Sequence, residues 1–125
     1  MRTVRTVIFC LLAVCFVSLA GCGKKADESK PLSEVKAEAE KMSVEKLRSM
    51  ASTYKEAITA KKDEVAKVAG ELKNIPVTKM LGDEAKSLKA EIEALNKSAS
   101  ALKQRFQVYY NKLKEKGGDL SGLEL

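Results

Sequence analysis

From Val44 onward, apolar positions recur at alternating steps of three and four: Val44, Leu47, Ala51, Tyr54, Ile58, Lys61, Val65, Val68 and Leu72, with Lys61 the one polar member. After Asn74-Ile75-Pro76 the same steps resume at Leu81, Ala85, Leu88, Ile92, Leu95, Ala99, Leu102, Phe106, Tyr109 and Leu113. Stripes with a period of about 3.5 are the a and d positions of helices that pack along a seam; the alternation by two that strands require is missing. The spacing predicts an all-α fold with two long helices, about 33–73 and 77–116. Ser33 followed by Glu34 suits a helix start, and Lys112, Lys114 and Lys116 ahead of Gly117-Gly118 suit a helix end.

Antiparallel seams set an a position opposite a d position. Folding the chain back about residues 73–80 pairs Leu72 with Leu81, Val65 with Leu88, Lys61 with Ile92, Ile58 with Leu95, Tyr54 with Ala99, Leu47 with Phe106 and Val44 with Tyr109. Lys61 is expected to run along Ile92 toward Glu91. The product is a long antiparallel helical hairpin, a two-stranded coiled coil. Val35, Ala39 and Met42 share a period but are out of phase with Val44 and Leu47. Residues 32–42 therefore continue the first helix with another face inward or form a short separate helix, and continuation is favoured.

The first fifth of the chain follows a different pattern. Met1 to Thr6 carries Arg2, Arg5 and no acid, and Val7 to Ala20 is apolar except for Ser18. That run has the length of a signal-peptide core and is too short for the ~30 Å hydrocarbon layer at about 1.5 Å per residue. Leu19-Ala20-Gly21-Cys22 closes it. This stretch resembles the lipobox of bacterial lipoprotein precursors. The resemblance covers residues 1–22. It implies cleavage between Gly21 and Cys22, diacylglycerol on the Cys22 thiol and, in Gram-negative hosts, a further acyl chain such as palmitate on the new amino group. Two or three acyl chains anchor stably where one does not. Cys10 and Cys15 leave with the signal, so Cys22 is the one cysteine of the mature chain and no internal disulfide forms.

The resulting division is 1–21 signal peptide, 22–31 lipidated flexible tether, 32–116 helical hairpin and 117–125 flexible tail. Gly23-Lys24-Lys25-Ala26-Asp27-Glu28-Ser29-Lys30-Pro31 reads as tether from its charge and its closing proline. Asp119 to Leu125 is expected to fray.

Little in the 125 residues carries chemistry. Histidine is absent, which removes the commonest general base and metal ligand. Phosphate loops, nucleophile elbows and zinc spacings are missing as well. Glu91 and Glu93 diverge on a helix. Ser98-Ala99-Ser100 with Lys97 and Lys103 offers a Ser–Lys pair, but small polar residues on an exposed face explain it better. Tyr54, Phe106, Tyr109 and Tyr110 suit seam packing rather than a ligand box. No catalytic, cofactor-binding or metal site and no small-molecule substrate is expected, and the chain reads as a non-enzyme.

Charge sharpens the picture. The net charge is +6, from 23 basic and 17 acidic residues, yet export argues against nucleic acid as a partner. Lys97, Lys103, Arg105, Lys112, Lys114 and Lys116 oppose Glu115 alone over that stretch. This end either faces anionic headgroups beside the tether or is a solvated face. The flanks of the seam are lopsided: Arg48, Lys55, Lys62, Lys89 and Lys103 on one edge, Glu64, Glu71, Glu84 and Glu91 on the other. Such edges suit either association with a second copy or envelope protein, or a monomer whose side chains splay apart.

The expectation is a lipid-anchored envelope protein with a structural or scaffolding role. The alternative is a periplasmic chaperone or an accessory subunit of an envelope complex, since basic periplasmic chaperones with coiled-coil arms are similar in charge and helicity. Gly23 after Cys22 favours the periplasmic side of the outer membrane, with the inner membrane as the other location.

Overall fold

A computed structural model describes residues 25–125. These residues form three helices, α1 (Leu32–Lys41), α2 (Val44–Lys73) and α3 (Asp83–Glu115), with one 3₁₀ turn, Val77–Lys79, between the last two. No strand occurs among the described residues. α2 and α3 run antiparallel against each other as the expected helical hairpin.

The first helix is a separate element, which corrects the favoured continuation from 33 to 73. Pro31 lies ahead of its first turn, and its carbonyl accepts from Glu34 N and Val35 N at 3.1 Å each, so Ser33 is inside the helix rather than its cap. Met42 is extended (ψ 144°), and Ser43 then caps α2 by accepting from Lys46 N at 3.3 Å. The phase conflict between Val35/Ala39 and Val44/Leu47 explains the break: two extended residues let each set turn inward on its own helix. α1 lies along α3 and runs parallel to it, with Leu32, Lys36 and Glu40 beside Gln104, Val108 and Asn111.

The hairpin register also differs from the expected one. The Tyr54 ring lies 5.4 Å from that of Tyr109 rather than beside Ala99, and Lys61 shares a surface with Leu102 rather than Ile92. Leu81, expected in the seam, is 85% exposed in the turn, because α3 begins only after Gly82. A slip of one heptad accounts for all three facts and still sets every a against a d. Leu47, Tyr54 and Ile58 then face Leu113, Phe106 and Leu102, and all six are buried in one cluster.

That cluster occupies the half of the hairpin remote from the turn, hereafter the body, and is completed by Val35 and Ala39 of α1, Ala51, Tyr109 and Leu123. Toward the turn, the hairpin is two helices alone, hereafter the arm. Val68 and Ala85 are buried there, while Val65, Leu72, Leu88, Ile92 and Leu95 are only half-buried.

The C-terminal segment is docked, contrary to the expected fraying. Gly117 takes a positive φ of 71°, and Gly118 N donates to Leu113 O at 2.9 Å while Gly117 N donates to Lys114 O at 3.0 Å. This is the glycine-terminated helix end in which two late carbonyls are satisfied. It turns the chain back between the ends of α3 and α2 so closely that a Cβ on Gly118 would stand 2.2 Å from Leu113 Cδ1 and 2.9 Å from Val44 Cγ1. Leu123 then enters the core at 3% exposure.

Candidate functional site

The expected signal peptide, lipobox, cleavage point between Gly21 and Cys22 and lipidation site at Cys22 lie outside the described residues. What is described is the surface that follows them.

In a hairpin, the seam separates two broad sides. One side carries Ala57, Glu64 and Glu71 of α2 with Glu84, Glu91, Ser98, Arg105 and Lys112 of α3. On the body this side is covered by residues 25–41. Asp27 N donates to the Tyr54 hydroxyl at 3.1 Å, and that hydroxyl donates back to Asp27 O at 3.2 Å. The Ser98 hydroxyl donates to the Glu28 carboxylate, which ties the segment before α1 to α3. Arg105, 8% exposed, donates from Nε and Nη2 to Lys30 O at 2.9 and 2.6 Å and from Nη1 to Ala101 O at 2.7 Å. Residues 25–31 are thus held in place rather than free, and Lys25 lies beside Ala57, Lys61 and Leu102 at mid-height of the hairpin.

Half of the basic run at 97–116 is spent on the fold, Arg105, Lys112 and Lys116 of its six members. Lys112 bridges Glu40 at 2.6 Å and Glu115 at 2.5 Å, and Lys116 donates to Glu40 O and Met42 O at 3.1 and 2.7 Å. Hydrogen bonds from Lys112 hold the Glu40 carboxyl below its usual range, and those to Glu115 and then Glu40 push the Lys112 ammonium up. The hydrogen bond to Glu38 likewise raises Lys30. Of the run, Lys97, Lys103 and Lys114 remain exposed without such bonds to α1.

The opposite side carries Arg48, Lys55 and Lys62 of α2 with Lys89 and Lys103 of α3. On the body the C-terminal segment covers it. Arg48 donates to Asp119 O and, at 2.9 Å, to Ser121 O; Lys55 donates to Gly122 O at 2.8 Å. Hydrogen bonds from Ser121 keep the Asp119 carboxyl low. Arg48 and Lys55 are therefore committed within the chain, and the open basic residues of this side are those of the arm and its margin, with Lys114 at the body end.

Among the described residues, nothing covers either side of the arm. Glu64, Glu71, Glu84 and Glu91 are exposed on one, with Lys67 among them and Lys61 Nζ at 3.2 Å from Glu64 rather than turned to Glu91. Lys62, Lys73, Lys86 and Lys89 are exposed on the other, with Glu93 among them. The turn presents Val77 at 89% and Leu81 at 85% exposure. Of the aromatic residues, Tyr54, Phe106 and Tyr109 are buried in the body core, and the half-buried Tyr110 ring lies 5.5 Å from that of Phe106.

Among the described residues no group of carboxylates, cysteines or histidines is arranged to hold a metal ion, and no helix is long and apolar enough to cross a membrane. The roles of Arg105 and Leu123 were hidden in sequence. Arg105 looks like one of many basic flank residues, and Leu120, Leu123 and Leu125 were the faint signal of a docking tail. Comparison of the chain with protein-family models, with curated proteins and with solved structures gives no match.

Proposed function

We propose that this chain is a lipid-anchored, non-enzymatic envelope protein whose helical hairpin serves as an interaction element. The observation that carries the reading is the contrast between the two halves of the hairpin. In the body, four segments of the chain close one core around Tyr54, Phe106 and Tyr109. In the arm, the same seam continues with only two helices, so Val65, Leu88, Ile92 and Leu95 stay half-exposed between oppositely charged sides. Two helices bury little surface by themselves, and an amphipathic face left open is what a macromolecular partner uses.

The anchor is the lipid on Cys22, with the periplasmic side of the outer membrane as the favoured location. A scaffolding role comes first, and an accessory subunit or chaperone is the alternative. Cys22→Ala is expected to abolish lipid labelling and leave uncleaved precursor, because both processing steps need the thiol; normal cleavage and membrane retention would reject the anchor. Crosslinking in intact cells through the arm separates the roles. Self-crosslinks support a scaffold, one dominant partner a subunit, and many unfolded clients a chaperone.

A further inference from the structure

The acidic and the basic side of the arm are complementary to each other, and both are open only where the body is not. We infer that the occupant of the acidic side is the basic side of a second copy of this chain, with the two arms crossed antiparallel. This deepens the interaction reading and rests on it.

The body shows what each side accepts. Its basic patch, Arg105 and Lys112, is covered by residues 25–41, which meet Arg105 with the Lys30 carbonyl and Lys112 with the Glu40 carboxylate, the Lys30–Glu38 pair lying next to it. In the arm the sign on that same side is reversed, with Glu64, Glu71, Glu84 and Glu91 around the half-buried Val65, Leu72, Leu88 and Ile92. A cover for it needs cations beside an apolar stripe. The other side of the arm supplies both: Lys62, Lys73, Lys86 and Lys89 flank the same half-buried seam from behind.

Sterics choose the orientation. Helix axes pack about 8–10 Å apart. If two copies stacked parallel, α1 of one body and the C-terminal segment of the next would both have to fit into that gap. Rotating one copy end for end removes the conflict, because each arm then overlaps only the other arm and each turn stops where the other body begins. In the heptad-slipped register this crossing sets Glu84 over Lys62 of the second copy and Glu71 over Lys89. It also brings Ser87 of α3 over Ala66 of the other copy's α2, both exposed.

The contact joins unlike sides, so each copy keeps one free side of either charge, and assembly is open-ended rather than closed at two. An arm of about fifteen residues is roughly 22 Å long and two helices, or about 20 Å, wide. That face covers about half of the ~800 Å² per partner found in stable pairs. Association is therefore weak in free solution, and confinement of anchored copies to one membrane raises their effective concentration.

The test uses the exported chain from residue 22 with Cys22→Ser, which contains every residue of the described fold. Sedimentation at low salt should show a concentration-dependent spread of oligomers that shifts to monomer as salt rises. Glu71→Lys/Glu84→Lys, and separately Lys62→Glu/Lys89→Glu, should each weaken association about tenfold, taking about 1.4 kcal/mol for that factor. Mixing the two variants should restore complexes. Oxidation of a mixture of Ser87→Cys and Ala66→Cys chains should yield mixed disulfide dimers in preference to like ones. A monomer at low salt and high concentration overturns the inference, as does association that ignores both charge reversals. If the protein is monomeric yet a foreign partner crosslinks to the arm in cells, the interaction reading stands and the second copy as occupant fails.

Discussion

The guanidinium of Arg105 is bonded twice to the backbone carbonyl of Lys30, at 2.9 and 2.6 Å, and this pair fixes where the N-terminal segment joins α3. Hydrogen bonds from a charged donor contribute about 1.5–3 kcal/mol, and a carbonyl left buried without its donor adds cost. Arg105→Ala should lower unfolding stability by about 2–3 kcal/mol, measured by denaturant titration. Lys103→Ala, exposed one helical face away, should stay within about 0.5 kcal/mol.

The division into body and arm predicts unequal costs along one seam. Leu47→Ala and Leu113→Ala empty sites with no exposure and should each cost about 2–4 kcal/mol. Leu95→Ala, at a half-buried arm position, should cost less than half as much in the monomer. Equal losses at Leu47 and Leu95 in thermal unfolding would mean that the arm is as well closed as the body.

The docked C-terminal segment should be part of the cooperative fold. Leu123→Ala removes a side chain that is 97% buried in effect, at 3% exposure, and should cost about 2–3 kcal/mol. Truncation after Gly118 should cost at least as much and should increase proteolysis near Arg48 and Lys55, whose side chains lose their carbonyl partners. Native-state hydrogen exchange checks the same point through the amide of Leu123, which donates to Leu120 O at 3.1 Å.

Stability should fall on the alkaline side. Burial, and next the neighbouring Tyr54, push the Tyr109 hydroxyl up from 10.0 to about 12. A raised folded value means that the folded state holds its proton more tightly. That contribution is complete below pH 10 and is lost as pH rises from 10 to about 12. The raised ammoniums of Lys30 and Lys112 act in the same direction. The unfolding midpoint of Tyr109→Phe, followed across this window, should decline less steeply than that of the parent chain. On the acid side Asp27, Glu40, Glu45 and Asp119 have lowered values, so their contributions are present above about pH 4 and fade below it.

Helix type, the hairpin and the identity of most core residues were legible in the linear pattern, because a 3.5-residue apolar period is a local property of the chain. The same pattern could not fix the register. Sliding α3 by one heptad still matches a to d, and only the turn decides between them: Pro76 starts a 3₁₀ turn, α3 waits until Asp83, and Leu81 is left in solvent. The phase break at Met42 was visible, but its outcome depended on α3 offering α1 a place to bury Val35 and Ala39.

What the sequence determined by itself is therefore what depends on neighbours in the chain: two long amphipathic helices and their ends near Asn74 and Gly117. Tertiary structure decided what depends on segments far apart. It set the heptad register, turned the tether and the C-terminal tail into covers for the body, and drew Arg48, Lys55, Arg105 and Lys112 out of the surface charge pattern. A basic side chain in a sequence has no fixed partner. Whether it meets solvent, a carbonyl or a carboxylate is settled only when distant backbone arrives beside it, and here that happens on the body and not on the arm.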